Sequence, residues 1–126
     1  MPQNRESGAK ANEYGHEMAR KIAEKIDAVP VSDSSNEFAY EGRLITIRCA
    51  KKGNNQVGCT YAMLKRVDEV FAAFEQEHNL YSIYEMSAAL FLFLSRNSKI
   101  EGKVGLVSIN DFLKKGKNFV SVTIAN

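Results

Sequence analysis

NEFAYEGRLITIRCAKKG, residues 36–53, is the stretch that decides how this chain folds. It reads as two short strands joined at Glu41-Gly42. Residues 43–50 are dense in β-branched and aliphatic side chains, which suit a pleated, half-buried surface. Glycine at the joint can take the positive φ that a two-residue hairpin turn requires. Side chains alternate along a strand, so Ile45, Ile47 and Cys49 point one way and Leu44, Thr46, Arg48 and Ala50 the other. The first set is a core face, expected to pack on the first helix through Met18 and Ile22. The second carries a hydroxyl and a guanidinium. With a two-residue loop, Tyr40 lies opposite Arg43, Phe38 opposite Ile45 and Glu37 opposite Thr46. Glu37, Thr46 and Arg48 then share a polar face, with Glu37 diagonal to Arg48. An ordinary surface ion pair between Glu37 and Arg48 is the plainer reading of that face.

A chain of 126 residues makes one domain with a real core. Hydrophobic content of 44% and charged content of 25% are ordinary for a globular protein. The net charge of +2 does not by itself argue for nucleic acid. An electrostatic footprint has to come from local clustering, and Arg48, Lys51 and Lys52 supply the candidate. Cys49 and Cys59 are the two cysteines; they form no CxxC and have no histidine beside them to complete a zinc set. Cys49, on the apolar face, reads as a small buried thiol. The N-terminus has no apolar run and does not read as a signal peptide. Residues 88–94 are continuously apolar but far too few to span a bilayer. A cytoplasmic protein without a membrane role is expected.

Residues 1–10 are mostly polar, include Pro2 and Gly8, and read as a flexible tail, leaving 11–126 as one domain. A helix is expected over 11–27, where Tyr14, Met18, Ile22 and Ile26 recur every four residues. His16-Glu17 opens like a zinc-protease HExxH helix, but Arg20 stands where the second histidine is needed. Residues 29–32 suit a short extended piece. Residues 51–58, with two glycines and two asparagines, read as a loop; they lack the GxxxxGK[ST] phosphate cradle. Residues 60–75 admit two readings. Leu64, Val67, Phe71 and Phe74 fit one long helix, whereas VFAAFE and LYSIYEM around EHN fit two strands and a turn. The second is adopted: a helix over 60–67, then strands over 69–75 and 80–85. Ser87 can cap a helix running through Leu94. A loop over 95–102, a strand over 104–107, a helix from Ser108 to a C-cap at Gly116 and a strand over 119–124 complete the chain. The fold class is mixed α/β. An N-terminal helix precedes a central mixed sheet with an antiparallel hairpin, and further helices pack on the sheet.

Helix, two or three antiparallel strands, helix, strand is the order of the restriction-endonuclease-like core. The hairpin resembles the PD-(D/E)XK signature of that superfamily, in which a carboxylate on one strand is followed by Glu-x-Lys on the next and a helix glutamate often joins them. The resemblance covers residues 11–85. It implies Glu37 at the Asp position, Glu17 as the helix glutamate, and Thr46 and Arg48 where Glu and Lys stand, making these four the candidate catalytic residues. Those last two are departures. Magnesium, the cofactor a working site of this kind takes, needs oxygen ligands that are preferably charged. Thr46 offers only a neutral oxygen. Arg48 keeps its charge and cannot act as a base, but it can grip a phosphate through two hydrogen bonds. No tight divalent site is expected at Glu17 and Glu37.

Two classes of function follow. One is a DNA-binding protein on a nuclease-like scaffold, a degenerate or inactive nuclease, with Arg48, Lys51 and Lys52 on the nucleic acid. The other is a small interaction protein, a homodimer or a subunit of a larger complex, with no nucleic acid. A serine, cysteine or histidine hydrolase is not supported, because no nucleophile–base pair is recognisable.

Overall fold

The hairpin forms as its alternation dictates. In the computed structural model, Glu41 and Gly42 take φ of 48° and 76°, the two left-handed residues of a type I′ turn. The structure describes residues 5–33, 35–97 and 103–124, with side chains for 14–33, 35–95 and 103–124. The elements run α1 (Arg5–Ile26), β1 (Val29–Pro30), β2 (Glu37–Tyr40), β3 (Arg43–Ala50), β4 (Gln56–Thr60), α2 (Tyr61–Arg66), β5 (Glu69–Glu77), β6 (Leu80–Ser87), α3 (Ala88–Leu94), β7 (Arg96–Asn97), β8 (Val104–Ser108), α4 (Ile109–Lys115) and β9 (Lys117–Thr123). Tyr40 pairs with Arg43, Phe38 with Ile45 and Glu37 with Thr46, the register read from the two-residue loop.

A six-stranded mixed sheet has the order β1-β2-β3-β5-β6-β9. Its one parallel pair is β3 with β5, and the crossover between them carries α2. A three-stranded antiparallel sheet, β4-β8-β7, stands apart from it. Two cores lie on the two faces of the large sheet. On one, α1 buries Met18, Ala19 and Ile22 against Ile45, Ile47, Phe71, Ala73 and Ile83. On the other, Val70, Ala72, Phe74 and Met86 meet Met63, Leu64, Phe91 and Phe112 from α2, α3 and α4, and Val57, Cys59 and Val107 from the small sheet. Among the described residues no helix is long and apolar enough to cross a membrane.

Local signals placed most boundaries. The Ser87 and Ser108 hydroxyls accept from the backbone N–H groups of Leu90 and Asp111 and cap α3 and α4. Three expectations are corrected. α1 begins at Arg5 rather than Ala11; Arg, Glu, Lys and Ala are good helix formers and extend it without an apolar stripe. Residues 1–4 of the expected tail lie outside the described residues. The loop expected over 51–58 ends early, because β4 starts at Gln56. Gly58 reads as a loop residue, yet it sits in β4 where a Cβ would come within 3.0 Å of Leu106 Cδ2, so its signal is close approach. The loop expected over 95–102 contains β7, paired with β8, and its residues 98–102 lie outside the described ones.

The short connection after β3 is tied to the β5–β6 turn by one carboxylate. Glu75 Oε1 accepts from the Lys52 backbone N–H at 3.0 Å and Oε2 from that of Asn79 at 3.1 Å. The bond from Lys52, reinforced by that from Asn79, holds the Glu75 carboxyl below its ordinary range, against a smaller opposing effect of desolvation. A depressed folded pKa stabilises the protein fully above the unfolded carboxyl value, about 4.3, and the effect is lost as pH falls through the folded value. Glu75→Gln is therefore expected to lower Tm at neutral pH and to converge with wild type in acid. Melts across a pH series check this.

Candidate functional site

Register fixes which side chains share a face. Thr46 stands beside Val70 and Arg48 beside Ala72 in the parallel pairing, and Val70 and Ala72 belong to the core under α2–α4. Glu37, opposite Thr46, faces the same way. Three of the four candidate catalytic residues therefore lie together. Glu17 does not join them: it is exposed on α1, which covers the opposite face of the sheet. A helix glutamate can converge on a strand carboxylate only from the same side.

The face is less open than alternation implied. Thr46 is fully buried, because the crossover helix and the small sheet cover what reads in isolation as a polar surface. Its Oγ1 has no hydrogen-bond partner among the described residues. An unmet buried hydroxyl costs about 1–3 kcal/mol, so a threonine at this position asks for an explanation. Towards β2 the cover ends: Ala39 is exposed and Glu37 and Arg48 are half-buried.

Glu37 does not hold Arg48. Its Oε1 accepts from Arg66 Nε at 2.8 Å, and Arg66 comes from the last turn of α2. The crossover between two parallel neighbours has to pass over one face, and here it brings Arg66 above β2. Arg66 also donates from Nη2 to Met63 Sδ at 3.7 Å, a weak acceptor. Arg48 makes no hydrogen bond or ion pair among the described residues. The other strand arginine is committed, since Arg43 pairs with Glu69 and Glu41 and lies over the Tyr40 ring. Burial pushes the Cys59 thiol up to about 11, and Arg48 and Arg66 both oppose that rise. Both arginines are thus on the side of the sheet that β4 covers.

The lysines divide. Lys51 Nζ lies 4.5 Å from the centroid of the Tyr14 ring on α1, a cation–π contact on the side away from Arg48. Lys52 is exposed in the turn, with its backbone held by Glu75. The structure brings Glu37, Thr46, Arg48 and Arg66 together, and Glu17 and Lys51 stand outside that group. Arg66 was missed by sequence reading; the basic end of α2, Lys65-Arg66, was the available signal.

Chemically, the face carries one more cation than carboxylates, with Arg48 and Arg66 against Glu37. The Glu37 carboxylate holds Arg66, Thr46 lies across from Glu37 in the strand pairing, and Arg48 stands two residues further along β3 on the same side. A magnesium ion fits it poorly, because Glu37 is its one charged oxygen ligand and is taken by Arg66, while Thr46 adds a single neutral oxygen. Among the described residues no three of His, Cys, Asp and Glu are placed to hold a metal ion together. A comparison with protein-family models finds no match for the chain, and a comparison with curated proteins finds none.

Proposed function

We propose that this chain is a DNA-binding protein on a restriction-endonuclease-like scaffold, a degenerate nuclease whose Arg48 face meets backbone phosphate. The observation that carries the reading is Arg48 itself: a half-buried arginine with no acidic partner among the described residues, on the face where Glu37 holds a second arginine, Arg66. An unpaired cation on a rigid strand is oriented for a phosphate without first breaking an ion pair. The element order supports it too. α1, the antiparallel β1–β2–β3, α2 and then β5 parallel to β3 come in the order the resemblance implies, with β4 of the small sheet inserted between β3 and α2.

The test is a salt titration of binding to a short labelled DNA duplex, since phosphate contacts release counterions and give a steep dependence. Arg48→Ala is expected to weaken binding about equally across sequences and to reduce the salt slope by roughly one. Arg48→Lys should recover only part, because an ammonium lacks the planar fork. Unchanged affinity in a folded Arg48→Ala protein counts against the reading.

One observation favours the interaction-protein reading instead. α3 is apolar throughout, and its Leu92 and Phe93 are 50% and 83% exposed. A helix apolar all round is ordinarily buried. A wild-type protein with no DNA affinity at low salt, sedimenting as a dimer that Phe93→Glu dissociates, would select this second reading.

A further inference from the structure

We propose that Glu37 is an internal stand-in for phosphate: its carboxylate occupies Arg66 until a phosphodiester enters beside Arg48 and takes Arg66 from it, so that both arginines grip one backbone. This rests on Arg48 as a phosphate contact and adds a second contact and a latch.

Four observations carry it. The Arg66 side chain is 52% exposed while that of Glu37 is 13% exposed, so the cation is the partner free to swing. The guanidinium is only partly used. Nε serves Glu37 and Nη2 reaches a thioether sulfur, which leaves Nη1 without a partner among the described residues and the whole fork open to a phosphate's paired oxygens once Glu37 is exchanged. Releasing Arg66 leaves a largely buried carboxylate without its cation, so the pair stays closed until a phosphate offers Arg66 a partner with more charge and paired oxygens. Finally, Thr46 lies directly across from Glu37, fully buried and with its hydroxyl unpartnered. With Arg66 withdrawn, the Glu37 carboxylate is free to accept from that hydroxyl across the strand pair, which satisfies both groups. The pull of both arginines on the Cys59 thiol agrees with both lying on the side of the sheet that β4 covers.

The experiment measures affinity and salt slope for a short labelled DNA duplex by fluorescence anisotropy. Wild type is compared with Glu37→Gln, Arg66→Ala, Arg66→Lys, the double variant Glu37→Gln/Arg66→Ala, and Arg48→Ala, each first shown to be folded by its melt. Glu37→Gln is expected to bind several-fold tighter, with a slope steeper by roughly one contact. Arg66→Ala should bind more weakly with a shallower slope, and Arg66→Lys should recover part. The gain from Glu37→Gln must vanish in the double variant. Glu41→Gln makes the same charge change at the hairpin turn, away from Arg66, and controls for general electrostatics. An equal gain there overturns the latch. If Arg48→Ala weakens binding while Arg66→Ala and Glu37→Gln do not change it, the latch is wrong and the Arg48 reading stands. If wild type binds no duplex at low salt, both fall. Inorganic phosphate that displaces the duplex beyond the effect of equal ionic strength from chloride would indicate a free-anion pocket and overturn the backbone contact.

Discussion

Ile47→Asp is expected to leave the chain without a cooperative melt. Ile47 is fully buried in the core beneath α1, among Met18, Ala19, Ile22, Phe71 and Ala73. Removing its side chain forfeits about 1.5–3 kcal/mol of apolar burial. The aspartate then either stays charged in an apolar environment or takes a proton to avoid it, and both routes cost several kcal/mol more. Among the described residues no cation is buried there to receive it. The sum approaches the whole stability of an ordinary domain, about 5–15 kcal/mol. Circular dichroism on heating checks this, with the adjacent Arg48→Ala as the matched control. That side chain stands on the other face and is half-exposed, so its removal should leave the fold intact. A wild-type melt for Ile47→Asp would mean that the strand parity is wrong, and the assignment of Glu37, Thr46 and Arg48 to one face with it.

Gly116→Ala is expected to destabilise by about 1–3 kcal/mol, which for a domain of this size lowers Tm by roughly 4 °C per kcal/mol. The reason is not the usual one for a glycine after a helix. Sequence reading assigned Gly116 as the C-cap of α4, the position where glycine commonly supplies positive φ. The residue does end the helix, with its N–H bonded to the Phe112 carbonyl, but its φ is −85°. What excludes a side chain is space. A Cβ there would lie 2.7 Å from the Phe112 carbonyl oxygen, 3.1 Å from that of Glu85 and 3.2 Å from the Phe112 Cα. All three are backbone atoms, so no rotamer change relieves the clash. Either α4 or the β6–β9 pairing has to move. Gly42, at φ of 76° with nothing near its missing Cβ, is the contrast: Gly42→Asn, a residue that tolerates the left-handed region, should be much the milder change.

These two glycines show what a sequence can carry. At Gly42 the requirement is a dihedral angle, which belongs to the residue and its turn, and the Glu41-Gly42 joint fixed the register of all four hairpin pairs. At Gly116 the requirement is space: the carbonyl oxygen of Phe112, one turn back in its own helix, comes to 2.7 Å and that of Glu85, on a strand from elsewhere in the chain, to 3.1 Å, so reading the residue gave the right position for the wrong cause. The same divide runs through the candidate site. Alternation alone put Glu37, Thr46 and Arg48 on one side of the hairpin and Ile45 and Ile47 on the other, because side chains on a strand must alternate. It could not say what lies over the polar side.

The sequence by itself determined the hairpin, its register, the parity of its faces and the serine caps of α3 and α4, since turn dihedrals, pleat and cap hydrogen bonds act within a few residues. Only the tertiary structure decided that Thr46 is buried, that Glu37 is held by Arg66 instead of Arg48, and that Glu17 and Lys51 stand away from the site. Each of these depends on which face a distant element covers. The α2 crossover and the β4–β8 pairing enclose one side of the sheet and α1 the other, and those choices are made by apolar burial summed over the whole chain.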